Sequence, residues 1–446
     1  MTGETRQLAA YAATLTVAAI PPPVLRRAKD CLIDTVAATI FGHDFVWSRI
    51  VLGLARRRGG GEAQILGDLA RDAHAVPAEA AALANGVLAH ASELDSLREP
   101  GAGVHPGAVL VPATLAVAQE VGASGRELLV ALVAGAEVLC RIGKATQHSV
   151  EERGFHAPGL TGPLGAAVAA GHLLKLNAEQ MAQALGIAGS LAGGLLEFAK
   201  SGEGGMVKRL HLGRAAESGI IAARLAAEGF TGPPTVLEGE FGFLNAYCET
   251  HDVTALTDGL GSVFETLTIC LKRYPCHITA HTPVAAIEAL RAEHHVRAAE
   301  VEAVTVLGSR RAAALHGRHD PQDLVMAQYS IPFCVAVGLL HDVSDPSSFG
   351  QASLDDPATK ALCRRVTVVD GGAHGWATTV RIAMKDGRLL ERRQEDFPGT
   401  PAHPLDPAAL REKFLRLTTR LPPARAAVLH QRLEHVEGEQ ELSWLA

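Results

Sequence analysis

The chain has 446 residues, 48% of them hydrophobic but only 4% aromatic, with a formal net charge of -7. That length is enough to bury a large core, while a mildly acidic chain whose one compact basic run is Arg56-Arg57-Arg58, without interleaved aromatics, argues against a nucleic-acid partner. Seven cysteines scattered without CxxC pairs argue against a disulfide framework or zinc knuckle and for a reducing, cytoplasmic compartment.

The longest apolar stretches, Leu8 to Ile20 and Leu128 to Cys140, fall short of the roughly 18 residues of a membrane span, so no membrane partner is expected. The first reads as an amphipathic helix stopped by Pro21-Pro22-Pro23, because Arg6 is the only strong positive flank a signal segment would have. Helical periodicity follows over 24–41, 78–92, 108–121, 124–144, 163–175, 178–192 and 206–229. Ser124 three residues before Glu127 is a capping-box signal. The loop from Gly101 to Gly107 separates two of these helices.

After about residue 266 the texture changes. Val301 to Leu307 and Val366 to Val369 alternate like strands. Thr378 to Met384 and Arg388 to Gln394 form a hairpin pattern joined at Asp386-Gly387. Residues 277–294 and 322–341 read as helices between them, and Phe397 to Pro407 as a Pro-rich linker before a final helical stretch. The fold expected is mainly α with an α+β lid: a helical domain over 1–265 and 400–446, an α+β domain over 266–399, and a ligand cleft between them.

Four segments combine ionisable residues with glycine and proline. In the first, His90, Glu93 and Asp95 stand where a helical pattern gives out, and His105 follows in a glycine-rich loop; an acid/base cluster competes with a solvated helix end. In the second, His156 precedes an Ala/Gly-rich helix whose N-terminus favours an anion, against a plain turn histidine. In the third, from Gly204 to Gly213, Lys208, Arg209 and His211 crowd a helix start. Cations there oppose the helix dipole, and a desolvated lysine is a usable base. In the fourth, Lys272 precedes Pro275, and His277 and His281 share a helix face. The i,i+4 histidine pair lacks the glutamate of an H-E-x-x-H motif, so no metal is expected. No nucleophile elbow, P-loop or dinucleotide fingerprint stands in context, so no cofactor is expected either.

In order and spacing these segments resemble the MmgE/PrpD family, through ANG-x3-H, HPG, the turn at His156, Lys208 to Gly213, GFTGP at 229–233, EG-x2-GF at 238–243 and KRYPCH-x3-H at 272–281. The resemblance implies a homodimeric, cofactor-free enzyme with a helical domain, an α+β lid and an active site between them. It implies catalytic roles for Lys208, His156, Lys272, His105 and Asp95. His277, Glu93, Arg98 and Arg209 are read as substrate-binding. The chain departs from the family's H-x-x-D-x-D-D-T run, where it has Glu93 for the first acid and Ser96-Leu97 for the last acid and hydroxyl. The loop to His105 is also about two residues longer than the family's.

The chemistry implied is proton abstraction next to a carboxylate of a small di- or tricarboxylate, with cations stabilising the enediolate charge. With the acidic run altered, the expected outcome is epimerisation of an iminodisuccinate-like substrate. A 2-methylcitrate-type dehydratase and a cis-aconitate-type decarboxylase are the alternatives within the family. A non-catalytic helical binding protein and a metal hydrolase are the alternatives outside it.

Overall fold

The computed structural model describes residues 3–70, 73–98, 103–200 and 205–445. Gly101, Ala102 and Gly204 of the loops singled out above lie outside them. The chain divides into two units, unit 1 comprising Met1–Ala91, Asp95–Leu271 and Pro407–Ala446, and unit 2 comprising Ser92–Leu94 and Lys272–Asp406.

Unit 1 opens with α1 (Glu4–Thr14), α2 (Pro22–Phe41), α3 (Val46–Arg56), α4 (Ala78–Ala89), α5 (Pro106–Glu120) and α6 (Gly125–Ala145). It continues through α7 (Ser149–Glu152), α8 (Ala157–Leu173), α9 (Ala178–Ser190), α10 (Val207–Ala227) and α11 (Phe243–Tyr247). The helix starts are written in the sequence. Ser124 and Asn177 cap α6 and α9 through reciprocal bonds with Glu127 and Gln180, each satisfying two otherwise orphaned N–H groups. Proline occupies the first turn of α2, α5 and α8, where its missing N–H costs nothing.

Helices α4, α5 and α8 are buried on nearly every side and built from Ala, Val, Leu and Gly, so they have no polar stripe. Small residues let α10 lie directly on α4. A Cβ on Gly86 would come 2.6 Å from Gly213 Cα, and one on Gly213 would come 2.1 Å from the Leu83 carbonyl oxygen. This close crossing sets the start of α10 beside His90, which caps the end of α4. A two-stranded ribbon, β1 (Leu97–Arg98) against β2 (Ile269–Cys270), ties the chain after α4 to the end of this unit.

Unit 2 carries α12 (Ile278–His294), α13 (Arg310–His316), α14 (Leu324–Tyr329), α15 (Ile331–Leu340), α16 (Gln351–Asp355) and α17 (Pro357–Cys363). Its strands β3 (Val301–Gly308), β4 (Val366–Asp370), β5 (Thr378–Met384) and β6 (Leu389–Gln394) form one sheet in the order β4-β3-β5-β6. The β3–β4 pair is parallel; β3–β5 and the β5–β6 hairpin are antiparallel. Gly387, at φ 89°, supplies the left-handed residue that the Asp-Gly turn requires. The chain then re-enters unit 1 as α18 (Pro407–Leu417) and α19 (Pro423–Glu434), both packed on α2. Lys413 of α18 pairs with the buried Asp34 of α2.

Several expectations are corrected. The first helix ends at Thr14, well before the prolines. The stretch 322–341 is two helices, because Ser330 caps a new start and Pro332 fills its first turn. Helix α3 was not foreseen: it buries Trp47, Leu52 and Ala55 but leaves Val46, Ile50 and Leu54 exposed, so apolar residues stand on both faces. The units change over at Leu271/Lys272 rather than after Glu265. The reason is that the Glu265 and Thr266 N–H groups are bound by Glu137, and Arg98 holds the Glu265 carboxylate. The return falls at Pro407, since Phe397 and Thr400 of the supposed linker are buried and Phe397 packs on His281. Among the described residues no helix is long and apolar enough to cross a membrane.

Candidate active site

In unit 1, three of the candidate side chains stand at helix N-termini. His105 and His156 are the N-cap residues of α5 and α8, and Lys208 lies in the first turn of α10. Free N–H groups and the helix dipole make such ends electropositive. Lys208 and Arg209 are nonetheless buried there, at 1% and 0% exposure, a costly placement that favours an anion nearby.

Asp95 is fully buried and joins two imidazoles: His90 Nδ1–H donates to Oδ1 at 2.7 Å and His105 Nδ1–H to Oδ2 at 2.7 Å. Burial alone would raise the Asp95 carboxyl. His90 and His105 overcome it and hold the group well below the usual carboxylate range. Burial drives the His90 imidazole far below its ordinary value; Asp95 opposes the shift, and the charges of Lys208 and Arg209 reinforce it. An ionised Asp95 and a neutral His90 fix one tautomer, with the proton on Nδ1 and the lone pair on Nε2. Among the described residues this is the one group of three metal-ligating types held close, with ligand atoms within 4.8 Å of one another. Both Asp95 oxygens already accept imidazole N–H bonds at hydrogen-bond length, so an ion would have to displace them.

The second feature is a pair of histidines. His156 Nδ1 lies 2.9 Å from His211 Nδ1, and Phe198 packs edge-on against both rings. Burial holds His156 well below its ordinary value, helped by His211, His90 and His105. Burial, with Lys208 next, brings His211 down to about 4. The backbone places the pair: His156 N–H donates to the Gly194 carbonyl, and Gly193 N–H donates to that of Gly159. A Cβ on Gly159 would stand 2.3 Å from the Gly193 carbonyl oxygen, so this approach needs glycine.

The two arginines read as substrate contacts have other partners. Arg98 is buried and donates twice to Glu265, at 2.8 and 3.3 Å. Arg209 donates to the His90 carbonyl at 3.0 Å and lies over the Trp47 ring. In unit 2, the buried Lys272 donates to Glu93 at 2.9 Å. Glu93 itself sits in the left-handed region at φ 61°, an uncommon strain for a non-glycine residue. His277 caps α12 through Thr279 and stacks on His316 and Tyr329 at ring separations of 4.6 and 4.3 Å. His281 donates to the Cys276 carbonyl at 3.3 Å, so its i,i+4 partnership with His277 is a matter of helix face alone.

The MmgE/PrpD N-terminal domain model matches residues 6–256, and the MmgE/PrpD C-terminal domain model matches residues 274–436. The chain belongs to the MmgE/PrpD family.

As in the MmgE/PrpD architecture, a mainly helical part precedes a smaller α+β part. Similar MmgE/PrpD relatives carry a common name. The chain is 29% identical over 426 residues to the cis-aconitate decarboxylase of Aspergillus terreus, covering 88% of this chain and 85% of that one. It is 29% identical over 466 residues to the cis-aconitate decarboxylase-like protein oryM of Aspergillus oryzae, covering 97% and 93%. It is 26% identical over 422 residues to the cis-aconitate decarboxylase of Homo sapiens, covering 90% and 84%. Two histidines of this MmgE/PrpD chain went unassigned from sequence, His90 and His211. The ANG-x3-H run and the one-turn spacing from Lys208 to His211 were the available signals.

Proposed function

We propose that the protein is a cofactor-independent lyase that decarboxylates a small unsaturated tricarboxylate of the cis-aconitate type. The observation that carries the reading is the unit 1 cluster: an ionised Asp95 bound by two imidazoles, a neutral His156–His211 pair, and a buried Lys208. The shared name of the relatives supports the choice of reaction.

In this scheme Lys208 holds a substrate carboxylate through charge-assisted bonds. Glu93 serves as the partner of Lys272, and Arg98 and Arg209 serve the scaffold. The bond from the allylic carbon to its carboxylate breaks and carbon dioxide leaves. The electron pair shifts across the double bond to the carbon beside another carboxylate, where it spreads as an enediolate. A cation facing that carboxylate stabilises the developing charge. A protonated imidazole, His105 or His156, then gives its proton to that carbon. Asp95 steadies the charge that His105 carries while protonated. The scheme needs no metal or cofactor. The reading extends to a homodimer, which the family resemblance implies, and to the cytoplasm, which the scattered cysteines suit.

Epimerisation of an iminodisuccinate-like substrate is the second reading, and one observation favours it. The Ser96 hydroxyl accepts the Gly107 N–H, and Leu97 is paired in a strand, so this run offers no acid for a leaving hydroxyl. The same observation counts against a 2-methylcitrate-type dehydratase. The test is incubation with cis-aconitate in D₂O, followed by NMR and carbon dioxide release. Decarboxylation with a single deuterium at the protonated carbon is expected. Intact cis-aconitate together with α-hydrogen exchange in iminodisuccinate stereoisomers would sink the decarboxylase in favour of the epimerase. A non-catalytic binding protein would turn over neither, and Lys208→Ala and His156→Ala would leave its ligand response unchanged.

A further inference from the structure

Two facing Nδ1 atoms at 2.9 Å impose a rule on His156 and His211. A hydrogen bond needs one donor and one acceptor, so one ring carries a proton on Nδ1 and the other has a lone pair there. With both rings neutral, the two tautomers are complementary: a ring protonated at Nδ1 is bare at Nε2, and its partner the reverse. The rings also differ in exposure. His156 is 6% exposed, whereas His211 is only half-buried. Phe198 and the Gly193–Gly194 backbone confine the pair: a Cβ on Gly194 would approach His211 Nδ1 to 3.3 Å.

Replacing a carboxylate by hydrogen consumes one proton per turnover. A buried donor whose outer nitrogen faces bound substrate must therefore draw that proton from water through another group. We propose that His211 is the proton relay of His156, joined to it Nδ1 to Nδ1, and that it charges His156 while bound substrate shields Nε2 of His156 from water. This rests on the decarboxylase reading for the use of the proton, but not for the state of the pair.

The sequence of transfers balances. Water gives a proton to Nε2 of His211. The N–H bond at its Nδ1 breaks, and that proton bonds to Nδ1 of His156. His156, now an imidazolium, gives up its Nε2 proton to the carbanionic carbon. His156 is left protonated at Nδ1 and His211 at Nε2; once product leaves, water entering the vacated site protonates Nε2 of His156, the Nδ1 proton passes back to Nδ1 of His211, and His211 releases its Nε2 proton to solvent, which restores the start. The strong depression of the His156 pKa makes its imidazolium a strong acid once formed, which suits protonation of carbon.

Two experiments test this. The first needs no substrate: ring-¹⁵N spectra of histidine-labelled protein at neutral pH, with His156→Gln and His211→Asn assigning the signals. Two neutral rings with opposite tautomers are expected; two rings bare at Nδ1, or one cationic ring, would overturn the relay. The second is kinetic. His211→Ala should lower kcat by about ten- to a hundredfold, on the scale of proton-transfer contributions, leave KM nearly unchanged, and recover with added imidazole. His211→Asn keeps a hydrogen-bonding group near the Nδ1 position but cannot pass a proton, so it should be as slow as the alanine variant. A fast His211→Asn enzyme would reduce His211 to a structural neighbour and end the proposal. If the wild-type protein leaves cis-aconitate untouched, the decarboxylase reading fails, while the nitrogen spectra still decide the pair.

Discussion

At Asp95 one carboxylate accepts an imidazole N–H at each of its two oxygens, and a neutral amide cannot accept at both of its terminal atoms. In Asp95→Asn the amide nitrogen must face one ring as a donor. That ring then has to present a bare Nδ1 and move its proton to Nε2. The expected result is a fall in kcat of about 10² to 10⁴ with cis-aconitate, the scale seen when a positioned acid–base group loses its tautomer. Circular dichroism should show the fold retained; an active variant would remove Asp95 from the mechanism. The same residues govern acid stability. His90, His156 and His211 have native pKa values below the ordinary 6.5, His211 at about 4. As pH falls through 6.5 the unfolded chain takes up protons on these rings and the native chain does not, so stability falls. Asp95 has the same sign lower down: its contribution is present above the unfolded value near 3.8 and is lost as pH falls towards its native value. Melting temperatures should therefore decline steadily from about pH 6.5 to 4.5; a flat profile over that range would contradict the buried neutral rings. Residue types at these positions were legible, but their states were not. His211 reads as a third cation beside Lys208 and Arg209, yet the fold makes it a neutral partner. Arg98 reads as a substrate anchor because Glu265, 167 positions away, meets it only in the folded chain.

The helices were largely legible because their ends are written in local chemistry. Ser124 with Glu127 and Asn177 with Gln180 state where α6 and α9 begin, and the Asp386-Gly387 turn states the hairpin. The elements that escaped lack such local marks. The ribbon of β1 and β2 has two residues per strand and partners far apart in sequence. Helix α3 carries apolar residues on both its buried and its exposed face. The crossing of α4 and α10 gives the prediction at this scale. Gly213→Ala puts a methyl where the Leu83 carbonyl oxygen would lie 2.1 Å away, so the helices must separate. A loss of about 1–3 kcal/mol in urea unfolding is expected, as for other overpacked cores. The start of α10 would shift with it, so kcat should fall in the same variant. Unchanged stability would mean that α10 slides without cost.

Across the whole chain, the two-part division was readable from the change in periodicity near residue 266, but its changeover points were not. They depend on the Glu137, Glu265 and Arg98 bonds and on the burial of Phe397, none of which is a local signal. The C-terminal return carries the last prediction. Deleting residues 407–446 removes Leu410, Phe414 and Leu417 from the face of α2 and takes away Lys413, the partner of Asp34. The larger cost is the lost apolar cover, about 1.5–3 kcal/mol for each large side chain no longer buried. The truncated protein should lose its cooperative melt or precipitate on expression. A sharp transition at the full-length temperature would sink this view of α18 and α19.

The pairing of Asp34 with Lys413 spans 379 positions. A ribosome making this chain from its N-terminus releases α2 long before the helices that cover it exist, and the whole of unit 2 is synthesised in the interval. Unit 1 therefore cannot close its core during translation. Its apolar α2 face waits uncovered until the final segment emerges, a window in which chaperone binding competes with aggregation. Yield of active protein in a cell-free system should accordingly respond more to chaperones than to the rate of elongation.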